Sequence, residues 1–260
     1  MSTGSERIEA AFAATDGRAA LMPYLMGGFP DLERSRAVGE AYADGGADLV
    51  ELGVPFSDPL ADGPVIHAAG TQALAAGGTV PAVIELARAL AERLPVVLMC
   101  YTNIVLARGV ERFADELANA KVSGLIIPDL PLEEAPAALA ACDAAGIALV
   151  PLVAPTTPDD RLARIGGQAR GFLYTVSVTG TTGERADVDS SKLLARVKAH
   201  TEVPVALGFG ISTPAQAAAA AAAGADGVIV GTRLVRAAAE GEDVRALVEG
   251  LATALAGGGA

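Results

Sequence analysis

The chain has 260 residues, of which 52% are hydrophobic and 19% charged, and it carries a net charge of −12. That balance fits a globular protein with a large core, and it argues against disorder and against nucleic acid or an anionic membrane as partner. No basic segment followed by an apolar one opens the chain, and the apolar runs are Ala-rich and short, so a cytoplasmic protein is expected.

Strands and helices alternate along the sequence. A short amphipathic helix is predicted over 6–15, with Ile8 and Phe12 on one face. Strands follow at 20–26, 48–53, 95–101, 122–127, 147–153, 171–177, 203–207 and 226–230. Helices are predicted at 32–43, 65–75, 80–94, 110–118, 132–145, from 158 to about 165, and at 190–199. Thr213-Pro214-Ala215-Gln216 is a capping box that opens a further helix to 223, and 244–255 is the last. Cys100 and Cys142 sit in apolar stretches and read as reduced core thiols.

The strands are continuous apolar runs, which implies burial on both faces and a parallel sheet. About eight strands, each followed by a helix, fit an α/β fold: a (β/α)8 TIM barrel with a short N-terminal helix. No linker or charge block divides the chain, so one barrel domain over 1–260 is expected, with a frayed Gly-rich tail.

In such barrels the site lies at the C-terminal ends of the strands. Three kinds of group gather there. Glu51 ends the second strand on the same face as Leu49, Asp62 follows in a proline-rich loop, and Asp129 ends the fourth. A carboxylate at the end of an apolar strand is costly to bury unless paired or used. Taken alone, these acids fit a turn cap and solvated loop carboxylates equally well. Glycine turns form the second group: Gly208-Phe209-Gly210 leaves the seventh strand and Gly231-Thr232-Arg233 the eighth. Their backbone N–H groups can cradle a phosphate without lysine, which reconciles anion binding with an acidic chain. The third is a small, polar, Gly-rich loop after strand six, 178–185, suited to a lid.

Absent groups narrow the chemistry further. Lys121, Lys192 and Lys198 are the only lysines, and none ends a strand, so a Schiff base has no amine. His67 and His200 lack ligand spacing, so no metal site is expected. No dinucleotide or nucleotide phosphate motif is present. What remains is a cofactor-free enzyme that uses two carboxylates on a phosphorylated small molecule.

The segment Glu51-Leu-Gly-Val-Pro-Phe-Ser-Asp-Pro-Leu-Ala-Asp-Gly-Pro64, with Pro128-Asp-Leu-Pro131, Gly180-Thr-Thr-Gly183, Gly208-Phe-Gly-Ile-Ser212 and Gly231-Thr232, resembles the α subunit of tryptophan synthase. The resemblance runs from about Ile8 to Leu255. It implies a lyase that cleaves indole-3-glycerol phosphate to indole and glyceraldehyde 3-phosphate by a retro-aldol reaction. It implies Glu51 as acid/base and Asp62 as the carboxylate for the indole N–H. Gly183, Phe209, Gly210, Gly231 and Thr232 would hold the phosphate. Tyr24, Met99, Tyr101, Ile126, Val153 and Tyr174, with Phe209, would line the indole pocket, and Thr182 would serve the lid. The resemblance also implies a β subunit in an αββα tetramer, with pyridoxal phosphate in that partner, no cofactor in this chain, and direct passage of indole. Ser57, Asp58, Pro59 and Asn103 would face the partner.

Overall fold

The computed structural model describes residues 2–176, 190–208 and 210–257. Among them are nine strands: β1 Ala20–Met26, β2 Val50–Gly53, β3 Val96–Met99, β4 Gly124–Ile126, β5 Ala148–Val150, β6 Leu152–Val153, β7 Leu173–Val176, β8 Val205–Gly208 and β9 Gly227–Val230. All pairings are parallel, in the order β5-β4-β3-β2-β1-β9-β8-β7-β6. β5 and β6 are the predicted fifth strand, broken at Pro151, which has no N–H to give the ladder. The Tyr174 N–H still bonds to the Pro151 carbonyl at 3.0 Å, carrying the ladder across the break. The result is a nearly closed TIM barrel.

Alternation along the strands divides the core in two. Leu21, Leu25, Val50, Leu52, Leu98 and Leu207 face the surrounding helices. Ala20, Met22, Leu49, Val97, Ile126, Phe172 and Ala206 fill the barrel interior. The N-terminal helix Gly4–Ala13 plugs the bottom of the barrel. It is held by a capping box in which the Thr3 hydroxyl accepts from Glu6 N–H at 3.2 Å and Thr3 N–H donates to Glu6 Oε2 at 2.6 Å. Ile8 is fully buried, and Phe12 meets Phe172 with ring centroids 5.8 Å apart. Room for these side chains comes from missing ones: a Cβ on Gly124 or Gly171 would crowd Ile8, and one on Gly227 would crowd Phe12.

Two helices go beyond the spans predicted from sequence, the second of them continuing from the turn Gly231-Thr232-Arg233. Thr102–Arg108 follows β3, capped from a distance: Asp129 Oδ1 accepts from Thr102 N–H at 2.8 Å and from its hydroxyl at 2.9 Å. That cap comes from the next loop, so local sequence does not reveal it. Thr232–Glu240 follows β9 and ends at Gly241, whose φ of 71° lies in the left-handed region. Among the described residues, no single helix is long and apolar enough to cross a membrane.

Candidate functional site

The C-terminal mouth of the barrel holds a cavity of about 400 Å³. Its walls come from β1 (Tyr24), β2 (Glu51), β3 (Met99), β7 (Tyr174) and β9 (Ile229), and from the loops beyond them. Glu51 pairs in register with Tyr24 on one side and Val97 on the other, which fixes its carboxyl inside the barrel. It is 1% exposed, and its Oε2 has no hydrogen-bond partner among the described residues. Burial, and then the nearby Asp62 charge, push its pKa up to about 8. Both causes favour the protonated carboxyl.

Asp62 is treated differently. Its Oδ1 accepts from the Tyr101 hydroxyl at 2.8 Å, and that hydroxyl accepts from Ala61 N–H at 3.0 Å. Phe56 stacks on Tyr101, with centroids 5.3 Å apart, and steadies the assembly. Burial raises the Asp62 pKa, opposed by the Tyr101 hydrogen bond and by His67. The two carboxyls therefore sit at one site with different hydrogen bonding.

Two tyrosines flank this pair in matching geometry. Tyr24 lies diagonally opposite Gly53 across the β1–β2 ladder, and Tyr174 diagonally opposite Gly208 across β7–β8. A Cβ on either glycine would collide with the phenol hydroxyl of its tyrosine. The glycines let each ring lie flat over the neighbouring strand and so shape an aromatic-walled slot.

At the other end of the cavity the loops after β8 and β9 meet. Gly210, Ile211 and Ser212 come from one, and Gly231, Thr232 and Arg233 from the other. Gly210 has φ of 83°, a conformation that favours glycine. Gly231 is the N-cap of Thr232–Glu240, so the first N–H groups of that helix have no intrahelical acceptor. Such a terminus suits an anion.

The structure brings Glu51, Asp62, Tyr24, Met99, Tyr174, Gly210, Gly231 and Thr232 to this one cavity. Tyr101 stands behind Asp62 instead of on the wall. Ile126 faces inward but is fully buried in the interior layer with Val97, Val150 and Phe172. Val153, of opposite parity to Ala148 and Val150, packs in the outer core, and its neighbour Leu152 lines the cavity. Thr182, Gly183 and Phe209 lie outside the described residues. Asp129 serves as the helix cap described above and is not on the wall. Ser212 and Arg233, which belong to the two glycine turns, also line the cavity, as does Arg236, which the sequence does not single out. The helical spacing of Arg233 and Arg236 was the available signal, once a helix after β9 is recognised. Among the described residues, no group of three His, Cys, Asp or Glu could hold a metal ion.

A model of the tryptophan synthase alpha chain family matches residues 11–255. The chain belongs to that family. A tryptophan synthase α chain is a lyase acting on indole-3-glycerol phosphate, and membership implies a β-subunit partner. The tryptophan synthase alpha chain of Prochlorococcus marinus (strain MIT 9313) is 52% identical over 225 residues, covering 85% of this chain and 82% of that protein. The alpha chain of Methanosarcina acetivorans is 49% identical over 241 residues, 92% of this chain and 88% of the relative. Among solved structures, tryptophan synthase of Mycobacterium tuberculosis superposes with a TM-score of 0.91 at 40% identity, covering 98% of this chain and 99% of that one. The alpha subunit from Legionella pneumophila str. Paris gives 0.85 at 32%, covering 96% and 98%.

Proposed function

We propose that this chain cleaves indole-3-glycerol phosphate with Glu51 as the acid/base and Asp62 as the indole N–H acceptor, within an αββα tetramer. The observation that carries the reading is the Glu51 carboxyl: buried, with Oε2 unpartnered among the described residues and its pKa pushed up by that burial, it faces a slot that can hold an aromatic ring. Breaking the bond at indole C3 needs that carbon to leave as a neutral centre. Glu51 gives its proton to C3, and the positive charge that develops on the ring nitrogen is stabilised by Asp62. The glycerol hydroxyl next to the breaking bond then returns a proton to Glu51. Its oxygen becomes the aldehyde oxygen as the carbon–carbon bond breaks, releasing indole and glyceraldehyde 3-phosphate. Gly210, Gly231 and Thr232 would hold the phosphate; Gly183 and Phe209 would join them, with Thr182 in the lid.

The partner face is supported by exposed apolar side chains. The loop carrying Ser57, Asp58 and Pro59 also carries Leu60, which is 78% exposed. The helix carrying Asn103 also carries Leu106, 61% exposed. The Ala61–Tyr101 hydrogen bond ties this loop to the residue preceding that helix. A β subunit that covers both would sit directly on the segment that orients Asp62. Pyridoxal phosphate and the use of indole belong to that partner in this reading, and a cytoplasmic setting suits it.

Indole release from indole-3-glycerol phosphate, measured with and without a β subunit, tests the proposal. Weak activity alone, strong stimulation by the partner and loss of roughly 10²–10⁴-fold in Glu51→Gln are expected. Inactivity of the wild type under both conditions would overturn the assignment. Full activity in Glu51→Gln would remove Glu51 from its role.

A further inference from the structure

The phosphate end of the cavity has cations that the glycine turns do not account for. Arg233 and Arg236 both line it, and among its described lining residues they are the only cationic side chains, set against Glu51 and Asp62 at the other end. Both project from the first half of Thr232–Glu240, three residues apart, and so share a face of that helix. Arg233 is fixed in place: its Nη1 donates to Glu242 Oε1 at 2.9 Å and its Nη2 to Glu242 Oε2 at 2.7 Å. This end-on pairing takes two of the five guanidinium N–H donors. The side-on fork of Nε–H and the second Nη2 hydrogen has the spacing to clasp another oxyanion. Only a quarter of the Arg233 side chain is exposed, so the fork is held rather than sampled freely.

Charge supplies the second line of argument. The chain carries −12 and must admit a doubly charged phosphate to a cavity that also holds two carboxyls. Backbone N–H groups act at contact range but do little to attract an anion from a distance. A pair of arginines on the wall would do so.

We propose that Arg233, oriented by Glu242 and seconded by Arg236, binds the substrate phosphate through its Nε/Nη2 edge and draws the dianion into the mouth. This rests on the phosphate site proposed above and adds a cationic wall to it. Glu242 is a positioning residue: it touches Arg233, not the substrate.

The experiment measures binding of glycerol 3-phosphate by calorimetry. Alongside it, steady-state kinetics with indole-3-glycerol phosphate and a β subunit are followed from low to high salt. The proteins are wild type, Arg233→Gln, Arg233→Lys and Glu242→Gln, each checked for an unchanged melting temperature. Arg233→Gln is expected to raise KM about tenfold with kcat within twofold, from losing a charge-assisted two-point contact that the amide replaces only in part. It should also flatten the fall of kcat/KM with salt. Arg233→Lys keeps the charge but lacks the fork, so it should keep the salt slope and lose part of the affinity. Glu242→Gln should raise KM by less than Arg233→Gln and keep the slope. If wild type fails to bind glycerol 3-phosphate, the phosphate site itself is wrong. If wild type binds it and Arg233→Gln matches wild type in affinity and salt slope, only the arginine proposal falls. A fall in kcat with KM unchanged would also overturn it.

Discussion

The two ends of the barrel treat the same chemical group in opposite ways. At the N-terminal end, Asp48 receives both ends of the Arg18 guanidinium at 2.7 Å and the Leu21 N–H at 2.8 Å. Asp226, near the same end, accepts from Lys198 at 2.6 Å and from Val205 N–H at 2.8 Å. At the C-terminal end Glu51 is buried with an oxygen unpartnered among the described residues, and burial pushes its pKa up to about 8. The bottom spends its carboxylates on holding strands together. The top keeps one in an unfavourable state from which a proton can be given away. Within one fold, the number of hydrogen-bond donors around an acid separates a structural carboxylate from one available for chemistry.

The sharpest way to break this contrast is to neutralise Glu51. Its pKa is near 8 when folded and near 4.5 when exposed on unfolding, so between those values the folded chain holds a proton that the unfolded chain has lost. Glu51 therefore adds no penalty below about pH 4.5. Its contribution becomes steadily more destabilising up to about pH 8 and levels off above, at a cost on the order of 3–5 kcal/mol. Glu51→Gln should flatten the fall in stability across that window while removing activity. Urea melts at a series of pH values check this, and an unchanged slope would refute the stated burden on Glu51.

The bottom should show the reverse pattern. Ile8→Ala opens a hole in the plug and should cost about 3 kcal/mol, with turnover per folded molecule preserved. Calorimetry and indole release together separate the two effects. Asp48→Asn strips the Arg18 fork of its charge partner and should cost about 2 kcal/mol, again with activity retained in the folded fraction. Stability would be read from denaturant midpoints. The smallest effect belongs to Tyr101→Phe, which deletes the hydroxyl between Ala61 and Asp62. Because that hydrogen bond lowers the Asp62 pKa, its loss should shift the acid limb of kcat/KM upward. The rate should fall by about tenfold at neutral pH. A pH–rate profile identical to wild type would show that Tyr101 does not tune Asp62.

Much of this arrangement is legible in the sequence because period-two alternation is rigid. Leu49 and Glu51 share the inner face as expected, and the helix–strand sequence yields the parallel barrel. The glycine turns after β8 and β9 also stand where strand ends demand. What stayed hidden depends on contacts between distant segments. The helix Thr102–Arg108 is capped by Asp129 from another loop, so its start has no local mark. Tyr101 counts as a pocket residue by resemblance, yet its hydroxyl is turned to a loop forty residues earlier, where it supports Asp62. Val153 is a pocket residue by resemblance, and the structure packs it in the outer core beside Leu152 on the wall. Arg236 has no mark in the sequence until the extent of Thr232–Glu240 is known.

The plug helix also constrains the order in which the molecule can be completed. Ile8 and Phe12 rest on Gly124, Gly171, Phe172 and Gly227, residues spread over most of the later chain. The seat of this early segment is therefore incomplete until the last strand, which carries Gly227 beneath Phe12, lies beside β1. Residues translated early close the bottom of the barrel on residues translated late.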